Sequence, residues 1–110
     1  MKLPNSEQAV VDIVKLRDYR LNPEHPKGRH KARVFATALS FSTSDAKTLQ
    51  DILWAAAQNE DAQASVRDAY GQRYIIDFEV TRNDKRAIIR STWIIRTDEN
   101  FARLTSCYVL

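Results

Sequence analysis

Both histidines of the chain, one of its two glycines and four cations lie between His25 and Phe35, in HPKGRHKARVF, with no acid among them. A helix beginning at or just after Gly28 would leave its first backbone N–H groups unpaired. It would also place the positive end of its dipole there, where an anion is favoured. Lys27, Arg29, Lys31 and Arg33 add charge of the sign that holds phosphate. Histidine adds a group whose ordinary pKa of ~6.5 lets it give or take a proton near neutrality. Lys31, Phe35 and Ala38 share one stripe at helical spacing, with His30, Val34 and Phe41 close beside it. One imidazole and one ammonium are thereby expected where an apolar face meets a phosphate-friendly terminus. A solvated basic helix start has the same composition, so the residues alone leave both uses open.

The neighbouring segments must fix that stretch in space. Leu3-Pro4-Asn5 opens extended, because the residue before a proline is pushed out of the α region. Ala9-Val10-Val11 has the character of a short edge strand. Asp12 is an N-cap for a helix with Ile13, Leu16 and Arg20 on one face and Leu16 and Tyr19 as an i,i+3 pair. That helix ends near Leu21, where Asn22-Pro23 and His25-Pro26 break it; the two prolines stiffen the loop that delivers His25 and Lys27. A second helix runs from about Arg29 to Leu39, amphipathic through Val34, Phe35, Ala38 and Phe41. Thr43 or Ser44 caps a longer third helix, in which Leu49, Ile52, Leu53 and Ala56 stand at i, i+3, i+4 and i+7. Asn59 to Gly71 is polar and acidic without a period, and reads as a loop or a frayed helix.

From Gln72 the period becomes two. Tyr74, Ile76, Phe78 and Val80 alternate with Asp77 and Glu79, as in a half-buried strand. Arg82-Asn83-Asp84-Lys85 turns the chain into a strand from about Arg86 to Arg96, apolar on both faces and therefore central. Asp98-Glu99-Asn100 turns it again into Arg103 to Leu110, with Leu104, Ser106, Tyr108 and Leu110 expected on one side. Helices first and hairpin-linked strands last predict an α+β fold: N-terminal helices packed on one face of a small C-terminal antiparallel β-meander. At 110 residues the chain is expected to form a single domain, residues 1–110.

Composition narrows the function classes. Hydrophobic residues make up 44% and charged ones 28%, which fits a folded protein in water rather than a disordered one. No apolar run approaches the ~18 residues needed to span a bilayer, and Asp12 interrupts the apolar cluster near the start. Neither a membrane anchor nor a signal peptide is expected, and the location predicted is cytoplasmic. Cys107 stands alone, so no internal disulfide forms, and its strand position suggests a small buried hydrophobe. Two histidines without further cysteines do not make a zinc site, and neither metal nor cofactor is expected. The net charge of +3 is unevenly spread: residues 1–35 and 72–110 are basic, residues 36–71 acidic. One positive and one negative face are implied, the positive one fit for a phosphate-bearing partner.

The segments KLRDYRLNPEHPKGRHKARVF and WIIRTDENFARLTSCYVL resemble an uncharacterised bacterial domain family found in polymorphic-toxin tails, phage head-morphogenesis proteins and small stand-alone reading frames. The resemblance extends from Leu3 to the C-terminus and is least specific in the middle helix. Helices followed by a small antiparallel sheet are in turn similar to the metal-independent ribonuclease superfamily of barnase, EndoU-type, colicin-type and RelE-type toxins. Where related toxins often end in a Thr-Ala-Tyr-Pro-like strand, this chain has Ser106-Cys107-Tyr108-Val109, which keeps a hydroxyl and a phenol without the proline. The family pattern does not always require a histidine at His30, which leaves His25 and Lys31 as comparable candidates.

That resemblance implies a chemistry. Cleaving RNA without a metal needs a base for the 2′-hydroxyl, an acid for the leaving oxygen and cations for the charge developing on phosphate. The roles implied are His25 or His30 as the base and acid, Lys31 and Arg96 as phosphate clamps, and Ser106 with Tyr108 as substrate-orienting groups. Lys27, Arg29 and Arg33 would hold the nucleic-acid backbone. The expected partners are RNA, either tRNA or mRNA, and a cognate antitoxin or immunity protein. The alternative is a non-catalytic binding module of the same fold that contacts nucleic acid or a small partner protein.

Overall fold

Strict alternation in β2, Gly71–Arg82, buries Tyr74, Ile76, Phe78 and Val80 and leaves Asp77 and Glu79 in water. The computed structural model, which describes residues 1–110, pairs this strand antiparallel with β3, Lys85–Arg96, from Gly71↔Arg96 through Arg82↔Lys85. Asn83 and Asp84 between them take φ of 50° and 63°, the left-handed pair that a two-residue hairpin turn demands. Strand β4, Ala102–Val109, continues the meander on the other side of β3.

The sheet has four strands rather than three, in the order β1-β2-β3-β4. Gln63–Asp68, within the segment expected to be a loop or frayed helix, is strand β1 and pairs antiparallel with β2. All six of its residues are exposed, so neither face carries the apolar alternation by which a strand is recognised. At the β1–β2 turn, Gly71 has φ 148°, and a Cβ there would run into the Ile95 carbonyl.

The helices lie over one face of the sheet. A short helix α1, Ile13–Lys15, is capped by the Asp12 carboxylate, which accepts from the Val14 N–H at 2.9 Å, and passes into a π-helical turn, Leu16–Arg20. Helix α2, Arg29–Leu39, buries Ala32, Phe35 and Leu39; Val34, expected on its apolar side, is exposed. Helix α3, Ala46–Asn59, buries Leu49, Leu53, Ala56 and Ala57, and its approach is fixed by a capping box between Ser42 and Asp45, one or two residues before the cap expected. Val10 makes one parallel bridge to Arg103 rather than a strand, and covers part of the outer edge of β4.

One buried hydrogen-bond chain sits at the centre of the core. The Trp93 indole N–H donates to the Ser91 hydroxyl at 3.0 Å, and that hydroxyl donates to the Ile76 carbonyl at 2.9 Å. Trp93 and Ser91 are both fully buried, so an indole N–H without this partner would carry its whole desolvation cost. Ser91→Ala is therefore expected to destabilise the fold by about 1–3 kcal/mol in urea unfolding, with the helix and strand content of the native state unchanged.

Candidate nucleic-acid interface

Strand β4 does not alternate evenly. Leu104 lies opposite Trp93 and Cys107 opposite Ser91, both toward the helices, while Thr105 between them has no partner on β3. This β-bulge adds one residue to the strand and breaks the single line expected for Leu104, Ser106, Tyr108 and Leu110. Leu104 packs on the core, whereas Tyr108 pairs with Arg90 on the face that no helix covers. The Thr105 and Thr92 hydroxyls meet at 2.7 Å, and Arg20, from the π-helical turn, donates to the Thr105 carbonyl at 3.4 Å.

A polar row crosses the open face next to the bulge. Arg90 grips both oxygens of Asp77 at 2.9 Å across the β2–β3 pair. This hydrogen-bonded guanidinium holds the Asp77 carboxyl below its ordinary pKa of 3.8. Asp77, and secondly Tyr108, keep Arg90 more firmly protonated than an ordinary arginine. Lys31 comes from α2, beside the β4 edge, and places its ammonium 4.5 Å from the centroid of the Tyr108 ring. Lys31 thus covers the ring, with Arg90 as its cross-strand neighbour.

Three hollows meet at Thr105. One of about 290 Å³ is lined by Lys15, Tyr19, Arg20 and Ser106, one of about 310 Å³ by Lys15, Arg96 and Arg103, and one of about 530 Å³ by Tyr70, Arg73 and Arg96. Together they form a trough around the bulge with five cations along it. Asp12 and Asp98 also line it, but the Asp12 carboxylate is engaged as the α1 cap. Glu99 binds Arg103 at 2.8 and 2.9 Å, which lowers the Glu99 pKa, and lies 4.0 Å from Arg96. Neither Lys15 nor Arg20 has a carboxylate partner; Arg20 donates to the Thr105 carbonyl and stacks 4.4 Å from the centroid of the Tyr19 ring. Cys107 beneath the trough is buried, and burial pushes its thiol up to about 12, so it is no nucleophile.

The residues singled out from sequence fall into separate places. Lys31 and Tyr108 are in contact, and Ser106 lines the hollow that holds Arg20. Arg96 lines the same trough, yet lies four residues from Thr92, the partner of Ser106, or ~13 Å along the strand. His25 packs on Tyr19, with ring centroids 4.2 Å apart, behind the wall of the smallest hollow. Its Nδ1 accepts the N–H groups of Lys27 and Gly28, both at 3.1 Å, and its carbonyl accepts that of Arg29 at 3.0 Å. His25 itself therefore takes donors that an anion was expected to find at the start of α2. A Cβ on Gly28 would stand 2.5 Å from the Tyr19 carbonyl, so only glycine lets this loop close on the π-helical turn. His30, Lys27, Arg29 and Arg33 are exposed and line none of the three hollows.

Sequence reasoning missed Lys15, Arg20, Arg73, Asp77, Arg90, Arg103 and Thr105. For two of them a signal existed: counting back from the Asn83-Asp84 turn pairs Asp77 with Arg90 and puts both on the polar side of the alternation. Nothing in the sequence marks the bulge.

With this geometry in view, the comparisons with known proteins give a family and a fold. The chain belongs to the family described as Domain of unknown function (DUF6883), matched over residues 2–110. No curated protein matches the DUF6883 chain. Among solved structures it is similar to a chain of the contact-dependent growth inhibition toxin–immunity protein complex from Klebsiella pneumoniae 342. The TM-score is 0.64 at 16% identity, over 94% of this chain and 95% of that one. At that identity the likeness is one of fold.

The Asp77–Arg90 pair makes a pH prediction. Because the folded-state pKa of Asp77 is depressed, its contribution is fully present above 3.8 and is lost as pH falls through the lower folded value. Asp77→Asn is expected to lower the urea midpoint at neutral pH, and the gap to the wild type should close as pH falls below 3.8.

Proposed function

We propose that this chain is a metal-independent, toxin-like endoribonuclease that takes an RNA strand along the trough that runs from the open face of its sheet over the β4 edge. The observation that carries the reading is the convergence of Lys15, Arg20, Arg73, Arg96 and Arg103 with the Thr105 and Ser106 hydroxyls around one bulge. Cations gathered in this way neutralise backbone phosphates, and hydroxyls orient the sugar. The contact-dependent growth inhibition toxin–immunity protein complex, whose fold this chain shares, supports a toxin-system role and a cognate antitoxin or immunity protein as partner.

In this reading Lys31 and Arg96 clamp phosphate, and Tyr108 and Ser106 orient the substrate. His25 or His30 supplies the proton transfers. With Nδ1 accepting two backbone N–H groups, neutral His25 carries its proton on Nε2, where it can donate a hydrogen bond to a phosphate oxygen. A second reading, a non-catalytic RNA-binding module, is favoured by one observation: both histidines stand outside the hollows themselves.

Purified wild type and the Lys31→Ala, Tyr108→Phe, His25→Ala and His30→Ala variants separate the two when incubated with total RNA, with growth followed during controlled expression. Catalysis predicts RNA fragmentation and growth arrest by the wild type, and a loss of about 10²–10⁴-fold in at least one histidine variant that stays folded. Intact RNA in the presence of measurable RNA binding selects the binding module. In either case Arg20→Ala should weaken RNA binding and lower the slope of log affinity against log salt by about one.

A further inference from the structure

Strand β1 is only half as long as its neighbour needs. It pairs with β2 from Gly71 to Ile75, while Ile76 to Arg82 continue along β3 with nothing on their other side. The Leu110 N–H donates to the Ile88 carbonyl, so even-numbered β3 residues turn their main chain toward β4 and odd ones toward β2. In register, Ser91, Ile89 and Ala87 therefore bond Ile76, Phe78 and Val80. The N–H and C=O groups of Asp77, Glu79 and Thr81 point away from the sheet, and no turn or loop bond reaches them.

Beside this open edge runs a groove of about 320 Å³ between the sheet and α3. Ile52, Ala55 and Ala56 form one wall, and Phe78 and Val80 the other. Its rim is acidic. Glu60 has no cation partner, and Glu79 has only Arg86 at 3.8 Å. The edge thus offers main-chain hydrogen bonds, an apolar slot for alternate side chains and negative charge around it.

We propose that the free half of β2 is a docking edge for an extended strand of a partner protein, apolar on the side that enters the groove and basic at its rim. Strand addition satisfies the outward groups of Asp77, Glu79 and Thr81, and the two-residue period of the incoming strand drops every second side chain between α3 and the sheet. Charge complementarity with Glu60 and Glu79 selects a basic strand over an acidic one. The edge lies across β2 and β3 from the β4 bulge, so a partner held here leaves the trough open. This inference does not depend on the ribonuclease reading.

The test uses the full chain and a short synthetic peptide of alternating valine and lysine, followed by backbone amide resonances and hydrogen exchange. In the free chain the amides of Asp77, Glu79 and Thr81 should exchange fast, and those of Ile76, Phe78 and Val80 slowly. The peptide should shift and protect the first set together with Ala55 and Ala56. Glu79→Pro removes one outward donor without touching the β3 ladder, and should weaken binding about tenfold or more. Ala55→Arg fills the groove while leaving the strand intact, and should do the same. The proposal is overturned if the peptide shifts β1 or β4 instead, or if both variants bind as the wild type does. It is equally overturned if a valine–glutamate peptide binds as well, or if this edge pairs two copies of the chain in sedimentation.

Discussion

The buried chain from the Trp93 indole through the Ser91 hydroxyl to the Ile76 carbonyl is the interaction on which the rest of the structure depends. It ties the one polar residue in the core to the largest aromatic and to the neighbouring strand, so β2 and β3 have a single satisfied register. A slip of one residue would turn one of the two strands over, putting either Arg90 or Asp77 against the helices and the matching Ser91 or Ile76 in water. The polar row, the pairing of Tyr108 with Arg90 and the place of the trough all follow from that choice of face.

Because the helices cover only one side, the other side is left to polar side chains such as Asp77, Arg90 and Thr92. The bulge at Thr105 turns this free surface from a flat sheet into a trough, by swinging Ser106 toward Arg20 while Leu104 stays in the core. Carboxylates answer some of the cations, and Glu99 fixes Arg103 in a fork. Lys15 and Arg20 are left without such partners. An array that is partly neutralised and partly free is what a phosphate backbone exploits, since each counterion released adds to affinity.

The helix order, the apolar face of α3, the Asn83-Asp84 hairpin and the inward set of β2 were legible because each rests on local propensity and period. Strand β1 was not, since Gln63–Asp68 is exposed on both faces and its pairing comes from β2 alone. The fold brings some of the residues named from sequence together and leaves others apart. Lys31 and Tyr108, far apart in sequence, do meet. The histidines drew attention by type, but His25 spends its Nδ1 on closing the turn before α2, a role that only the folded loop discloses. The cations that line the trough are scattered from Lys15 to Arg103, and no sequence window holds them together.

The central claim is that RNA lies along the open sheet face at the β4 bulge. Titrating the isotopically labelled chain with a short single-stranded RNA and mapping the perturbed amide and side-chain resonances tests it most directly. The account predicts a continuous footprint over Arg20, Thr92, Thr105, Ser106 and Arg96, reaching Tyr108 and Lys31. A footprint on the exposed turn of α2 around Arg29 and Arg33, with the bulge unperturbed, would contradict it.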